Sequence, residues 1–176
     1  MAQPFPGASM TRATFVRLPA LMLMAVITLT SVTQAQAPAA PAAPAPAVPQ
    51  VMTYEMAVQI IDAAEAEART NKWNVTIVVT DAAGMPVVLR RLTGASPRSY
   101  DIAMRKAATV VAAKMTTADY GVKLKTKEVT EVPNGITFAG GVPVLRGVEF
   151  IGAVGTSGVQ AIQDEQVSKA GASIIK

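Results

Sequence analysis

In GAVGTSGVQAIQDEQVSKAG, Gly152 to Gly171, glycines crowd the end of an apolar run, and a polar stretch of helical composition follows. A loop of that kind can turn the free N–H groups of a helix start toward a phosphate or a carboxylate. The spacing spells neither G-x-x-x-x-G-K-S/T nor G-x-G-x-x-G. No acidic ribose-binding position follows at the right distance, so neither NAD nor ATP is expected. Anion binding is left to Arg91, Lys106 and Ser157, with Gly140, Gly141 and Gly158 letting backbone approach a ligand closely. Arg91 and Lys106 serve equally well as partners for Asp81 or Asp101. Asp164 and Glu165 are the candidates for a hard-metal site, although adjacent helix positions point about 100° apart. A solvated or intersubunit role is the plainer use of that pair.

Absences narrow the chemistry further. The chain has 0 His and 0 Cys. That excludes disulfides, thiolate nucleophiles, Ser-His-Asp catalysis and His- or Cys-ligated metals. A general base would have to be Asp, Glu, Lys or Tyr. Of 16 Lys+Arg, Arg12 and Arg17 precede residue 50, leaving 14 against 12 Asp+Glu and a net charge of about +2. Beyond residue 50 the aromatics are Trp73, Phe138, Phe150 and the three tyrosines Tyr54, Tyr100 and Tyr120. They form no base-stacking platform interleaved with cations, so nucleic acid is not an expected partner.

The elements that must position these residues read clearly. Ala57, Ile60, Ile61, Ala64 and Ala68 recur at helical spacing, which predicts a helix over 53–69 capped by Thr53. VTIVVT (75–80) and PVVLRRL (86–92) predict a hairpin closed by the Asp81–Gly84 turn. Ser96-Pro97 starts a second helix over 97–115, with small apolar Ala103, Ala107 and Val110 on one face. A short helix follows Thr117, and Pro133-Asn134-Gly135 marks a turn. VPVL (142–145) and VEFIGAVG (148–155) predict a second hairpin around Arg146-Gly147. The last helix is expected over 159–170, with a capping box between Ser157 and Gln160 and Gly171 as its C-cap.

Ahead of this domain lie two segments of different character. Arg12 and Arg17 precede the apolar run LPALMLMAVITLTSV, and small residues follow, the pattern of a secretory signal peptide over 1–35. The run is short of the ~20 residues of a membrane span. QAPAAPAAPAPAVPQ, 36–50, is an Ala/Pro-rich linker suited to an extended polyproline spacer. Residues 51–176 then make one domain, expected in the periplasm or outside the cell.

The string VVTDAAGMPVVLRRLTGASPRSYDIAMRKAATVVA resembles the GlcG/HbpS-like family, also described as a haem-binding or haem-degrading domain. The residues carrying it are Asp81, Ala82, Gly84, Arg91, Gly94, Ala95, Ser99, Lys106 and Ala107, joined by FAGGVPVL and IGAVGTSGVQAIQDEQVSKAG. The resemblance implies an α/β profilin-like α/β/α sandwich around an antiparallel sheet of about five strands, assembled as dimers up to octamers. Four strands are read directly, and Ile136–Phe138 is the expected fifth. It also implies haem as a cofactor in some members. Without His the iron must turn to Thr116, Thr117, Tyr120 or Tyr100, with Tyr54, Met104 and Met115 as further candidates. The family's secreted haem binders use a threonine, which points to the Thr116-Thr117 region.

Three functional readings follow. The first is an exported haem-binding or haem-sensing accessory protein, oligomeric and non-nucleophilic. The second is an enzyme or binding protein for a small organic acid or redox cofactor, built on Arg91, Lys106 and Ser157. The third is a structural or ligand-storage oligomer tethered to a partner by its Ala/Pro arm.

Overall fold

The computed structural model describes residues 51–176. Eight elements follow one another: α1 (Tyr54–Thr70), β1 (Thr76–Asp81), β2 (Pro86–Arg91), α2 (Arg98–Ala113), α3 (Thr117–Lys125), β3 (Gly141–Arg146), β4 (Glu149–Ser157) and α4 (Ala161–Ala172). The strands form one antiparallel sheet in the order β2-β1-β4-β3. Tight turns join each hairpin, as antiparallel neighbours permit.

Alternation along β1 divides the core between two layers. Ile77 and Val79 face α1 and α4, packing with Ile60, Ile61, Ala64, Val154 and Val167. Val78 faces the other way, onto Ala103, Ala107 and Val110 of α2. Fully burying each such aliphatic side chain is worth roughly 1.5–3 kcal/mol. The α2 layer is thin because its residues are small. A Cβ at Gly155 on β4 would stand 2.8 Å from the Ala107 nitrogen, so glycine is what brings helix and sheet together. The result is an α/β/α sandwich with α1 and α4 on one face and α2 on the other. Among the described residues no helix is long and apolar enough to cross a membrane.

Helix α1 is capped as expected, with Thr53 Oγ1 accepting from the Met56 N–H at 3.2 Å. Three expectations need correction. Ile136–Phe138 is not a fifth strand, and the sheet has four. The Ile136 N–H donates instead to Thr109 Oγ1 of α2 at 2.9 Å, and the Thr137 carbonyl lies against Gly121 of α3. Those two backbone groups are turned to the helices rather than to a neighbouring strand. The capping box of α4 joins Gln160 and Gln163, while Ser157 closes β4. Gly171 is inside α4 rather than at its end, and a Cβ there would sit 2.7 Å from the Ile60 carbonyl. Its role is the close approach of α4 to α1.

Candidate functional site

Lys106, on α2, is fully buried and reaches past the end of the sheet to the opposite layer. Its Nζ donates to Asp164 Oδ2 on α4 at 2.7 Å and to the Thr156 carbonyl on β4 at 2.9 Å. The passage runs beside Gly140, whose φ of +127° and lack of a Cβ leave room for the ammonium. Gly140 is itself clamped: its carbonyl accepts from Thr156 N–H at 2.9 Å and from Ser168 Oγ at 2.8 Å. Phe138 lies over the ammonium, 5.0 Å from ring centroid to Nζ, an attractive cation–π arrangement. Burial lowers the Lys106 pKa, against the opposing pull of Asp164 and Glu165. Burial likewise raises Asp164, opposed by Lys106 and by the Val159 and Gly158 backbone.

This geometry decides what the glycine-rich stretch does. Asp164 Oδ1 accepts from the Val159 N–H at 3.2 Å, so the loop before α4 already holds a carboxylate, supplied by its own helix. Lys106 is the counter-cation of that internal anion. The expected partners of Lys106, Asp81 and Asp101, are otherwise engaged. Asp81 Oδ1 accepts from the Ala83 and Met85 N–H groups, each at 2.9 Å, and Asp101 stands 3.7 Å from Arg105.

The remaining sequence candidates separate. Gly140, Gly141 and Ser157 lie at the same end of the sheet as Lys106. Arg91 stands on the opposite edge strand, exposed, with its guanidinium on the Ala95 carbonyl. Ser157 is opposite Thr76 in the ladder, and Gly158 is exposed at φ +154°. The proposed anion residues therefore do not share one pocket. Glu165 pairs with Lys169 at 2.6 Å while Asp164 faces Lys106, so the two carboxylates point to different neighbours. Among the described residues no three His, Cys, Asp or Glu side chains gather.

The hydroxyl candidates for iron also have distinct settings. Thr116 caps α3, accepting from the Asp119 N–H at 3.0 Å and donating to Asp119 Oδ2 at 2.8 Å. Thr117 is buried and accepts from the Gly141 N–H at 3.0 Å. Tyr100 is half-exposed in the first turn of α2. Tyr120 lies beneath the segment that follows α3, its Oη accepting from the Val132 N–H at 2.8 Å. There a cleft of about 390 Å³ opens between the end of α2 and that segment, lined by Ala112, Ala113, Tyr120, Val129 and Val132, with Glu128 and Thr130. Its volume falls in the ~300–1,000 Å³ range of small-molecule sites.

Residues 52–173 match the family model described as "Haem degrading protein HbpS-like". The chain belongs to the HbpS-like family. Among its HbpS-like relatives, protein GlcG of Escherichia coli strain K12 is 35% identical over 109 residues, covering 61% of this chain and 81% of GlcG. A double mutant of HbpS from Streptomyces reticuli superposes with a TM-score of 0.66 at 31% identity, over 80% of this chain and 99% of that one. A PduOC:heme complex superposes with a TM-score of 0.62 at 25% identity, over 72% of this chain and 96% of that one. The HbpS-like fold thus accounts for the whole described domain. Several features of its site were not read from sequence: the Lys106–Asp164 pairing, the Phe138 contact, and the cleft walls at Val129 and Val132. No local spacing announces them, because each joins elements far apart in the chain.

Proposed function

We propose that this protein is an exported haem-binding accessory protein that works as an oligomer and seats haem against the cleft beside Tyr120. The observation that carries the reading is a cleft walled by small apolar side chains and a phenol, with Glu128 and Thr130 at its polar side, in a chain of a family described by haem. The cleft fits an edge of the macrocycle: Ala112, Ala113, Val129 and Val132 supply apolar wall. Lys123, Lys125 and Lys127, exposed at and beyond the end of α3, supply cations for the propionates. Haem, when bound, brings iron-centred ligand exchange and redox change. The chain's own residues hold it and keep water from one side. A signal sequence over 1–35 and a spacer over 36–50, both outside the described residues, support work outside the cytoplasm. The small-acid reading is weakened by Lys106, whose charge is already met by Asp164.

Hemin titration of the chain, followed by the Soret band and by light scattering, tests this. A saturable shift at one haem per subunit or per dimer, on an assembly larger than a monomer, is expected. A linear, non-saturating response overturns it. Added ascorbate separates two forms of the reading: a persistent Soret band marks binding, and a decaying one marks degradation.

A further inference from the structure

We propose that Tyr120 is the residue through which this chain holds ferric haem iron, its oxygen set for that task by the Val132 N–H; the inference rests on the haem reading above. Of the four hydroxyl residues first singled out for iron, Tyr120 alone lines the cleft. Tyr100 is twelve residues before Ala112 on the same helix, about 18 Å along its axis at ~1.5 Å per residue. Thr116 both accepts from and donates to Asp119. Thr117 is packed under Gly141 with its oxygen on that residue's N–H.

Tyr120 differs in three respects. Its Oη accepts from the Val132 N–H, and Tyr120 and Val132 both line the cleft. Among the hydrogen bonds of the described residues the Oη accepts one and donates none, so its proton is tied to no other group of the fold. The N–H that points at it stays in place to stabilise the phenolate once the proton has left, since hydrogen bonds to an ionised oxygen are the stronger kind. Ligation then breaks the O–H bond, an oxygen lone pair forms the bond to ferric iron, and the proton passes to solvent, with Glu128 on the same wall as a nearby acceptor. An anionic oxygen donor favours the ferric over the ferrous state. Tyr120 is only 1% exposed, so residues 128–131 swing outward to admit the macrocycle while Val132 keeps its N–H on the Tyr120 oxygen. That segment carries no helix and no strand, and nothing in the sheet has to move.

The test is hemin titration of the full chain and of its Tyr120→Phe, Tyr100→Phe, Thr116→Val and Thr117→Val variants, with absorbance and resonance Raman spectra of each saturated complex. The wild-type complex is expected to show a phenolate-to-iron charge-transfer band and enhanced phenolate modes. Tyr120→Phe is expected to lose both and to bind roughly tenfold or more weakly, since removing even an outer-shell partner costs ~10–100-fold. Tyr100→Phe, Thr116→Val and Thr117→Val keep the phenolate signature. A saturable wild-type complex without phenolate modes refutes Tyr120 and leaves the haem reading intact. So does a threonine variant that abolishes the spectrum while Tyr120→Phe keeps it. If the wild type does not bind saturably, both fall. Should Tyr120→Phe prove unfolded, Tyr54→Phe and Tyr100→Phe decide: of the 3 tyrosines, phenolate modes that persist in both variants belong to Tyr120, and modes lost in either refute it.

Discussion

Replacing Lys106 by Met tests whether the buried ion pair is as isolated from water as its geometry indicates. Methionine keeps most of the apolar stem but removes the ammonium, leaving Asp164, itself 2% exposed, without its cation. Breaking one partner of a buried pair costs about 3–5 kcal/mol. At ~3–4 °C per kcal/mol for a domain of this size, melting falls by roughly 10–20 °C. The pH dependence is the sharper signature. Burial already raises Asp164 in the wild type, against the pull of Lys106. Without that pull the folded carboxyl holds its proton to still higher pH, while in the unfolded chain it ionises at the ordinary aspartate value. A group raised in the folded state contributes stability fully present below its unfolded value and lost as pH rises through the folded one. The deficit of the variant is therefore smallest in acid and grows toward neutrality. Urea denaturation at intervals between about pH 4 and pH 8, with the slope m unchanged, measures it. A deficit below about 1 kcal/mol, or one that does not vary with pH, would refute a dry pair bridging the two layers.

Gly155→Val is expected to prevent native packing rather than to weaken a ligand, because its Cβ would already stand 2.8 Å from the Ala107 nitrogen and 3.1 Å from the Ala107 Cβ. Overpacking of this kind costs about 1–3 kcal/mol or more; a soluble variant that melts like the wild type would contradict it. Thr80→Val should stabilise the domain by about 1 kcal/mol, because the Thr80 hydroxyl is buried with no hydrogen-bond partner among the described residues. Calorimetry checks this, and a lower melting temperature would show the hydroxyl to be satisfied in solution.

The strands and both hairpins were legible because β-branched runs were bounded by residues suited to tight turns, as Asp81 and Gly84 show. The stripe of α1 and the alanine face of α2 were legible for the same reason, since period alone decides which side is buried. Ile136–Phe138 misled because an apolar triplet after a turn looks like a strand, whereas Thr109 and Gly121, from helices earlier in the chain, decide its fate. Gly171 misled because a glycine near a helix end reads as a cap, and only the packing of α4 on α1 shows why it must be small. At the site, Lys106, Gly140 and Gly141 were singled out together and do lie together. Their counter-charge, 58 positions away on Asp164, is a product of topology that no local pattern encodes. The Tyr120 cleft is hidden likewise, since its walls join the end of α2 to a segment beyond α3.

The two central strands of the sheet, β1 and β4, come from near the start and the end of the domain, pairing Thr76 with Ser157 and Asp81 with Gly152. Neither hairpin can bury both of its faces until the other arrives, and α4, which seals one face, follows all four strands in the chain. Folding therefore waits on contacts of large sequence separation, a topology that slows closure relative to one built from local contacts. A nascent chain of this kind stays open until α4 is available. The same order of assembly makes the C-terminal helix the piece whose loss should leave the most incomplete product.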